Sequence, residues 1–159
     1  MVVRGRRVVF DRGVRPASLH IRDGAIFKIG EWDEIEPGER LFDAGDCAIL
    51  PGVVDLHAHI NEPGRSEWEG FSTATRAAAA GGITTLVDTP LNSIPPTVSS
   101  GALLKKTDAA RDNVWIDVGF HGGIVPGNAD DLSKLLCDGI VGLKCFLCDS
   151  GVEEFSGVK

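Results

Sequence analysis

The sequence predicts an α/β fold in which a small β-rich module precedes four strand–helix units. Apolar, β-branched runs suited to buried strands begin near residues 53, 83, 114 and 140, with helix-forming segments between them. This spacing of about thirty residues is that of a βαβ unit, and its repetition indicates a parallel sheet. The pattern changes after Pro51-Gly52, which separates the two parts.

The first fifty residues favour short strands and turns. Residues 7–10 predict one strand, and residues 18–21 and 25–29 predict two more that flank Asp23-Gly24, a dipeptide typical of a two-residue hairpin turn. Residues 33–40 are polar and contain a Pro-Gly pair, which predicts a loop. The basic start of the chain also fits a targeting segment, but its valines favour a strand.

The rest of the chain alternates between strands and helices. Predicted strands cover 53–57, 83–87, 114–119 and 140–146, and predicted helices cover 69–80, 99–111 and 128–138. Asn128 is expected to be the N-cap of the last helix. No GxGxxG motif follows the first of these strands, which counts against a nucleotide-binding sheet. A closed TIM-type barrel needs eight units and about 250 residues, so four units fit either a small open sheet or half of a barrel.

Composition excludes several classes of protein. The 159 residues are 43% hydrophobic and 25% charged, as in a protein that forms a core. The net charge of −7 gives no reason to expect nucleic acid or an anionic membrane as partner. No apolar run approaches the roughly 18 residues of a membrane helix. The four cysteines complete no zinc motif, so they are expected to be reduced, partly buried thiols in the cytoplasm.

His57 and His59 are the first candidate site residues. They stand two positions apart at the end of a predicted strand, so both side chains leave the same face. Two imidazoles placed in this way can share one metal ion, and zinc is a common choice. The alternative is a pair of surface or hydrogen-bonded histidines. Asp55 is either a strand-end acid or a hydrogen-bond partner of one of the rings.

Lys144 is the second candidate, because it interrupts an apolar strand. A charge buried there is costly unless it has a partner. A desolvated lysine has a lowered pKa and becomes a nucleophilic amine. Such an amine can take up carbon dioxide as an anionic, bidentate carbamate, which could bridge two cations. The alternative is a lysine that extends to solvent at the strand end.

Two loops after the predicted strands carry amides that could bind a substrate. Asn61 follows the histidine pair, and Asn92 follows the second strand. In a barrel both loops lie on the catalytic face, and an asparagine offers a donor and an acceptor to a ring amide. His121 follows the third strand and could line the same opening. The alternative for each is an ordinary turn or a solvated side chain.

Together these features resemble the cyclic-amidohydrolase branch of the amidohydrolase superfamily, which includes allantoinases, hydantoinases and dihydroorotases. The resemblance rests on residues 51–64 (PGVVDLHAHINEPG), 68–71 (WEGF), 79–85 (AAGGITT), 88–97 (DTPLNSIPPT) and 142–146 (GLKCF). The allantoinase subgroup is most similar, through NEPGR, EWEGF and PLNSIPPT. Dihydroorotases usually carry an arginine that binds a substrate carboxylate where this chain has Asn61.

The resemblance implies a metal-dependent hydrolase. Residues 51–159 would supply the first four β/α units of a TIM (β/α)8 barrel, and residues 1–50 part of a small composite β-sandwich. Two zinc ions would be held, with His57 and His59 as ligands of one and a carboxylated Lys144 as the bridge between both. Asn61 and Asn92 would contact the substrate, allantoin, which is hydrolysed to allantoate in purine catabolism. The full-length family member is expected to be a cytoplasmic homotetramer.

The family pattern also includes residues that these 159 positions lack. They are two more metal-binding histidines, on strands five and six, and a proton-transferring aspartate on strand eight. The chain is therefore expected to be truncated, without a complete catalytic set and inactive alone. Two alternatives stay open. One is a dihydroorotase or hydantoinase, and the other is a non-catalytic product that assembles with full-length subunits.

Overall fold

The computed structural model describes residues 1–158, and the chain divides into two compact units. The first is Met1–Pro51, and the second begins at Gly52. This division falls where the sequence pattern changes.

Unit 1 is a mixed β-sheet. Its strands are β1 (Val2–Phe10), β2 (Gly13–Arg22), β3 (Ala25–Gly30), β4 (Leu41–Asp43) and β5 (Ala48–Ile49). The order is β3-β2-β1-β4, and β5 also pairs with β1. The first three strands pair antiparallel, whereas β4 and β5 run parallel to β1. Val8, Ala17 and Leu19 form a buried cluster on this sheet.

The hairpin between β2 and β3 confirms the turn predicted from Asp23-Gly24. Both residues have positive φ angles, 51° and 77°. A two-residue hairpin turn requires this conformation, which an Asp-Gly pair adopts at low cost. Residues 31–40 form no helix or strand, in agreement with the predicted loop.

β1 is longer than the strand predicted over residues 7–10. Two of its three arginines, Arg4 and Arg6, have partners in the structure. Arg4 Nε donates to Asp43 Oδ2 over 2.8 Å, and the Arg4 guanidinium lies 4.3 Å from the centre of the Trp32 ring. The basic start of the chain is therefore a structural strand, and the charges of Arg4 and Arg6 are compensated within unit 1.

Unit 2 is a parallel sheet with helical crossovers. Its elements are β6 (Val53–Ala58), α1 (Phe71–Ala80), β7 (Ile83–Asp88), α2 (Ser100–Ala110), β8 (Asp117–Gly123), α3 (Ala129–Cys137) and β9 (Gly142–Lys144). The strand order β6-β7-β8-β9 follows the chain, and every pair is parallel. Phe71, Thr75 and Ala78 of α1 are buried, at the spacing of one helical face. Ile60, Phe71 and Leu86 belong to the main core.

The predicted helices and strands of unit 2 are all present, with shifted ends. β8 begins at Asp117 rather than at 114, and β9 has three residues rather than seven. Asn128 stands at the N-cap position of α3, but its side chain does not cap the helix. Its Oδ1 accepts from Val125 N over 3.0 Å, and its Nδ2 donates to the carbonyls of Val98 and Gly123. This buried side-chain amide therefore links the end of β8 and the loop that follows it to Val98.

Apolar side chains are exposed at the two edge strands of this sheet. Val54 and Leu56 of β6 and Val141 beside β9 are each more than half exposed. Within residues 1–158, β6 and β9 each pair on one side only. Unit 2 therefore has apolar surface and strand edges that no other described residue covers.

The cysteines correct one expectation. All four are free thiols, as expected, but they are exposed rather than partly buried. Among residues 1–158, no helix has the length and apolar content needed to cross a membrane.

Candidate metal centre and active site

The chemistry-bearing side chains of unit 2 gather at the carboxyl ends of its parallel strands. His57 lies in β6 and His59 directly after it, Asp88 is the last residue of β7, and Lys144 is the last residue of β9. His121 lies in the second half of β8. Parallel strands bring these ends to one edge of the sheet, which is where sites form in such folds.

The structure brings together the three side chains that the sequence singled out as metal ligands. The ring centres of His57 and His59 are 5.3 Å apart. Lys144 Nζ lies 3.2 Å from His57 Nε2, although 87 positions separate the two residues. The strand period places the two rings side by side, and the parallel order of strands brings Lys144 to them.

Two side chains of this group, Lys144 and His59, have lowered pKa values. Burial lowers the pKa of Lys144. Burial also lowers the pKa of His59, and the nearby charges of Lys144, His57 and Lys106 lower it further. In residues 1–158, Lys144 forms no ion pair with a carboxylate. A nitrogen that is not protonated presents a lone pair, which a cation or carbon dioxide can use.

The donor set fits a metal ion only if Lys144 contributes to it. In the described part of the chain, no three His, Cys, Asp or Glu side chains are placed to hold a metal. Two imidazoles and one amine of lowered pKa are present, and imidazole is a ligand that zinc prefers. An anionic carbamate on Lys144 would supply the oxygen ligands that this group lacks.

His59 is held by two polar side chains of the loop after β7. Thr89 Oγ1 lies 3.0 Å from His59 Nδ1, and Asn92 Nδ2 lies 3.2 Å from the same nitrogen. Thr89 is fully buried, and its backbone N–H donates to the carbonyl of Ala58 over 2.8 Å. The second ring nitrogen of His59, Nε2, is therefore the one left for a ligand.

A buried ion pair lies beneath this loop. Asp88 and Lys106 are almost completely buried and form a salt bridge. The other carboxylate oxygen of Asp88 accepts from the backbone N–H of Ile60 over 2.7 Å, and Lys106 also donates to the Thr89 carbonyl over 3.4 Å. The pair thus joins α2 to the segments that follow β6 and β7.

Burial raises the pKa of Asp88 to about 6, although Lys106 and two backbone N–H groups act in the opposite direction. This pair is not among the candidate residues predicted from the sequence. The signal was the position of Lys106 on the buried face of α2, four residues after Ala102 and four before Ala110.

The two candidate substrate amides occupy different environments. Asn92 is half-buried, has a φ of 76°, and contacts His59. Asn61 is buried, and its Oδ1 has no hydrogen-bond partner in the part of the chain that the structure describes. A buried carbonyl oxygen without a partner is costly, so the position of Asn61 Oδ1 suits an N–H donor from outside these residues.

The guanidinium of Arg65 forms hydrogen bonds within the chain. Its guanidinium donates to the Asn92 carbonyl over 3.0 Å and to Glu154 Oε1 over 3.0 Å. It also lies 5.2 Å from the centre of the Trp68 ring. Arg65 therefore connects the loops after β6 and β7 to the segment after β9 through these hydrogen bonds. Its guanidinium is not free to bind an anion.

An open cleft of about 440 Å³ lies beside the candidate ligands. It is lined by Leu56, His57, Thr89, His121, Leu143, Lys144 and Cys145. His121 Nδ1 is buried and has no partner within residues 1–158. Burial is the main cause of the lowered pKa of His121, and the charges of Lys144 and His57 lower it further. His121 therefore lines the cleft rather than being a fully solvated loop residue.

Asp55 does not contact either imidazole through a hydrogen bond. Its Oδ1 accepts from the backbone N–H of His57 over 3.0 Å. It stabilises the local strand-end conformation, which is the plainer of the two expectations for this residue.

Comparison with known proteins connects this geometry to a family. Residues 48–153 match the amidohydrolase family. The chain is 54% identical, over 98% of its length, to an allantoinase of Streptomyces avermitilis, of which it covers 35%. It is 56% identical, over 86% of its length, to an allantoinase of Saccharomyces cerevisiae, of which it covers 30%.

A solved structure shows the same fold. The L-hydantoinase (dihydropyrimidinase) from Arthrobacter aurescens matches with a TM-score of 0.91 and 32% identity, over 99% of this chain and 35% of that one. The chain thus spans about a third of the length of the relatives it matches.

These matches confirm the predicted fold class, a small β-module followed by the N-terminal β/α units of a TIM-type hydrolase barrel. The family match covers His57, His59 and Lys144. The chain belongs to the amidohydrolase family.

Proposed function

We propose that the protein carrying this chain is a metal-dependent cyclic amidohydrolase that converts allantoin to allantoate. One observation carries the proposal: Lys144 Nζ lies 3.2 Å from His57 Nε2, beside His59 and without a carboxylate partner among the described residues. An amine whose pKa is lowered by burial, placed among imidazoles, is suited to carbamate formation and metal binding. The curated allantoinases at 54% and 56% identity support the choice of substrate.

His57 and His59 would hold one of two zinc ions, and Lys144 would bridge both as a carbamate. The carbamate forms when the lysine nitrogen adds to carbon dioxide and one proton leaves for the solvent, which changes a neutral amine into an anion. The metals, when bound, supply Lewis-acid polarisation of the ring carbonyl and a water of lowered pKa. The pKa of Lys144 is lowered by burial, which favours the reactive amine.

The polar groups of the loops favour a neutral ring substrate. Asn61 Oδ1 and the Asn92 carboxamide can pair with the N–H and C=O groups of a cyclic amide. Arg65 cannot serve a substrate carboxylate while Glu154 and the Asn92 carbonyl occupy its guanidinium. This arrangement favours allantoin over dihydroorotate, which carries a carboxylate.

A hydantoinase is the second candidate, because the L-hydantoinase from Arthrobacter aurescens is similar over almost the whole chain. The complete reading frame that contains this chain should be expressed, stripped of metal and assayed against allantoin, hydantoin and dihydroorotate. We expect zinc-dependent turnover with the highest kcat/KM for allantoin. A higher kcat/KM for hydantoin would favour the second candidate, and no metal-dependent turnover of any of the three would contradict the proposal.

The 159-residue chain by itself is expected to show no allantoin hydrolysis. The reason is that residues 1–158 contain no complete group of metal ligands. The measurement is an allantoate assay on the purified chain in the presence of zinc and bicarbonate. Turnover that follows the chain through gel filtration, and that is absent from a His59→Ala variant, would contradict this expectation.

A further inference from the structure

The loops after β6 and β7 approach each other closely at Gly64. This residue has a φ of 94°, and a Cβ atom there would lie 2.6 Å from Ile94 Cβ. The backbone N–H of Ile94 donates to the Pro63 carbonyl over 2.7 Å. These loops carry Asn61 and Asn92, the two candidate substrate amides. The contact between the loops therefore contributes to the distance between the two amides.

Arg65 bonds to the backbone of both candidate residues. Its own N–H donates to the Asn61 carbonyl over 3.0 Å, and its Nη1 donates to the Asn92 carbonyl over 3.0 Å. Both acceptors are main-chain oxygens, so these bonds do not depend on how either carboxamide is oriented. One residue thus fixes the position of each loop relative to the other.

The guanidinium of Arg65 also bonds to a well-anchored segment after β9. Its Nη2 donates to Glu154 Oε1 over 3.0 Å. The next residue, Phe155, is fully buried, and its ring centre lies 5.9 Å from that of Phe146. The hydroxyl of Ser150 donates to the Phe155 carbonyl over 2.5 Å. Arg65 therefore ties the two loops to a segment whose place is set by a buried aromatic ring.

This ion pair differs from the ordinary surface pairs of the chain. The Arg65 side chain is 21% exposed, whereas that of Arg111, which pairs with Asp108, is 69% exposed. An exposed pair contributes little to stability. A guanidinium that is mostly buried and bonds to acceptors in two distant segments makes stronger, charge-assisted hydrogen bonds, which water replaces less well. Arg65 is therefore a link of defined geometry.

We infer that Arg65 is a positioning residue for substrate binding, and that Glu154 holds its guanidinium in the orientation that bonds to the Asn92 carbonyl. The inference rests on the proposed function, because it takes Asn61 and Asn92 as substrate contacts. Without the link, only a fraction of the molecules presents both amides in the binding arrangement, and the apparent affinity falls by that fraction. Loss of Arg65 should therefore raise KM and leave kcat nearly unchanged.

The test is steady-state kinetics of the complete zinc-loaded protein with allantoin. Arg65→Gln should raise KM about 10-fold, with kcat within about threefold of the parent and full zinc content. Arg65→Lys keeps the charge without the planar fork and should lie between the two. Arg111→Gln is the matched control and should change neither constant. Unchanged KM in Arg65→Gln, or a fall in kcat that follows loss of zinc, would overturn the inference.

Variants of Glu154 test the second half of the inference. Glu154→Ala should reproduce part of the rise in KM, and Glu154→Gln, which keeps an oxygen acceptor, should have a smaller effect. The double variant Arg65→Gln/Glu154→Ala should have the same KM as Arg65→Gln alone, because the two side chains act as one unit. Additive effects of the two substitutions on KM would show that Glu154 does not act through Arg65.

Hydrogen exchange separates failure of this inference from failure of the proposed function. Peptides that cover residues 89–97 should exchange faster in Arg65→Gln than in the parent, and Arg111→Gln should match the parent, whichever substrate the protein takes. Unchanged exchange in Arg65→Gln would overturn the positioning role even if the parent hydrolyses allantoin. Faster exchange together with no allantoin turnover by the parent would support the link and contradict the proposed function.

Discussion

Replacing Lys144 by alanine in the complete protein is expected to remove bound zinc and to lower kcat/KM for allantoin by about 10³-fold or more. The loss of an anionic bridge costs several kcal/mol of metal-dependent stabilisation, and each 1.36 kcal/mol is about tenfold in rate. The measurement combines metal content by mass spectrometry with steady-state kinetics. Lys134→Ala, at an exposed position of α3, is the matched control.

A second part of this experiment distinguishes the role of the carbamate from that of the rest of the Lys144 side chain. Alanine at position 144 leaves a space that a small carboxylate can enter. Acetate or propionate is expected to restore part of the zinc content and turnover of the Lys144→Ala variant, in a saturable manner. Full zinc occupancy and unchanged kinetics in the variant without any carboxylate would contradict the bridging role.

Replacing Lys106 by methionine is expected to lower the free energy of unfolding by about 3–5 kcal/mol, because it leaves the buried carboxylate of Asp88 without its partner. The measurement is urea denaturation of the chelated protein. Lys105→Met, the exposed neighbour on the same helix, should stay within about 0.5 kcal/mol of the parent. The double variant Asp88→Asn/Lys106→Met should be more stable than Lys106→Met alone, because no unpaired charge remains.

The loss in Lys106→Met should also depend on pH. Burial raises the pKa of Asp88 from 3.8 to about 6, so between these values the folded protein binds a proton that the unfolded protein does not. This group therefore lowers the free energy of unfolding as the pH rises through that range. Lys106 lowers the pKa of Asp88, and its removal moves that pKa higher still. The destabilisation should be smallest near pH 5 and largest above about pH 7, and equal losses at both would contradict a charged, unpaired Asp88.

The sequence predicts the parts of the site that depend on strand period and chain order. His57 and His59 stand two apart at a strand end, and the period of two places their rings together. Lys144 ends a strand three units later, and parallel strands that follow chain order bring it to the same edge. The two-residue hairpin in unit 1 is predictable for a similar reason, because Asp-Gly has a strong local preference.

Contacts between side chains from distant segments are not predictable in this way. Arg65 and Glu154 are 89 positions apart, and nothing local in either segment indicates the ion pair. Lys106 resembles an exposed lysine of a polar helix until Leu103 and Ala110 are seen on the same face. The two shortest strands of unit 1 were missed because each is defined by its pairing with β1 rather than by its own residues.

The central claim is that His57, His59 and Lys144 form one metal centre. The most direct measurement is a crystal structure of the complete zinc-loaded protein, with anomalous scattering recorded on both sides of the zinc edge. The expected result is two zinc peaks at the carboxyl ends of the strands. One should lie at bonding distance from the Nε2 atoms of His57 and His59, and a carboxylated Lys144 should lie between the two peaks. A zinc peak elsewhere in the protein, together with an unmodified Lys144 amine still beside His57, would contradict the account.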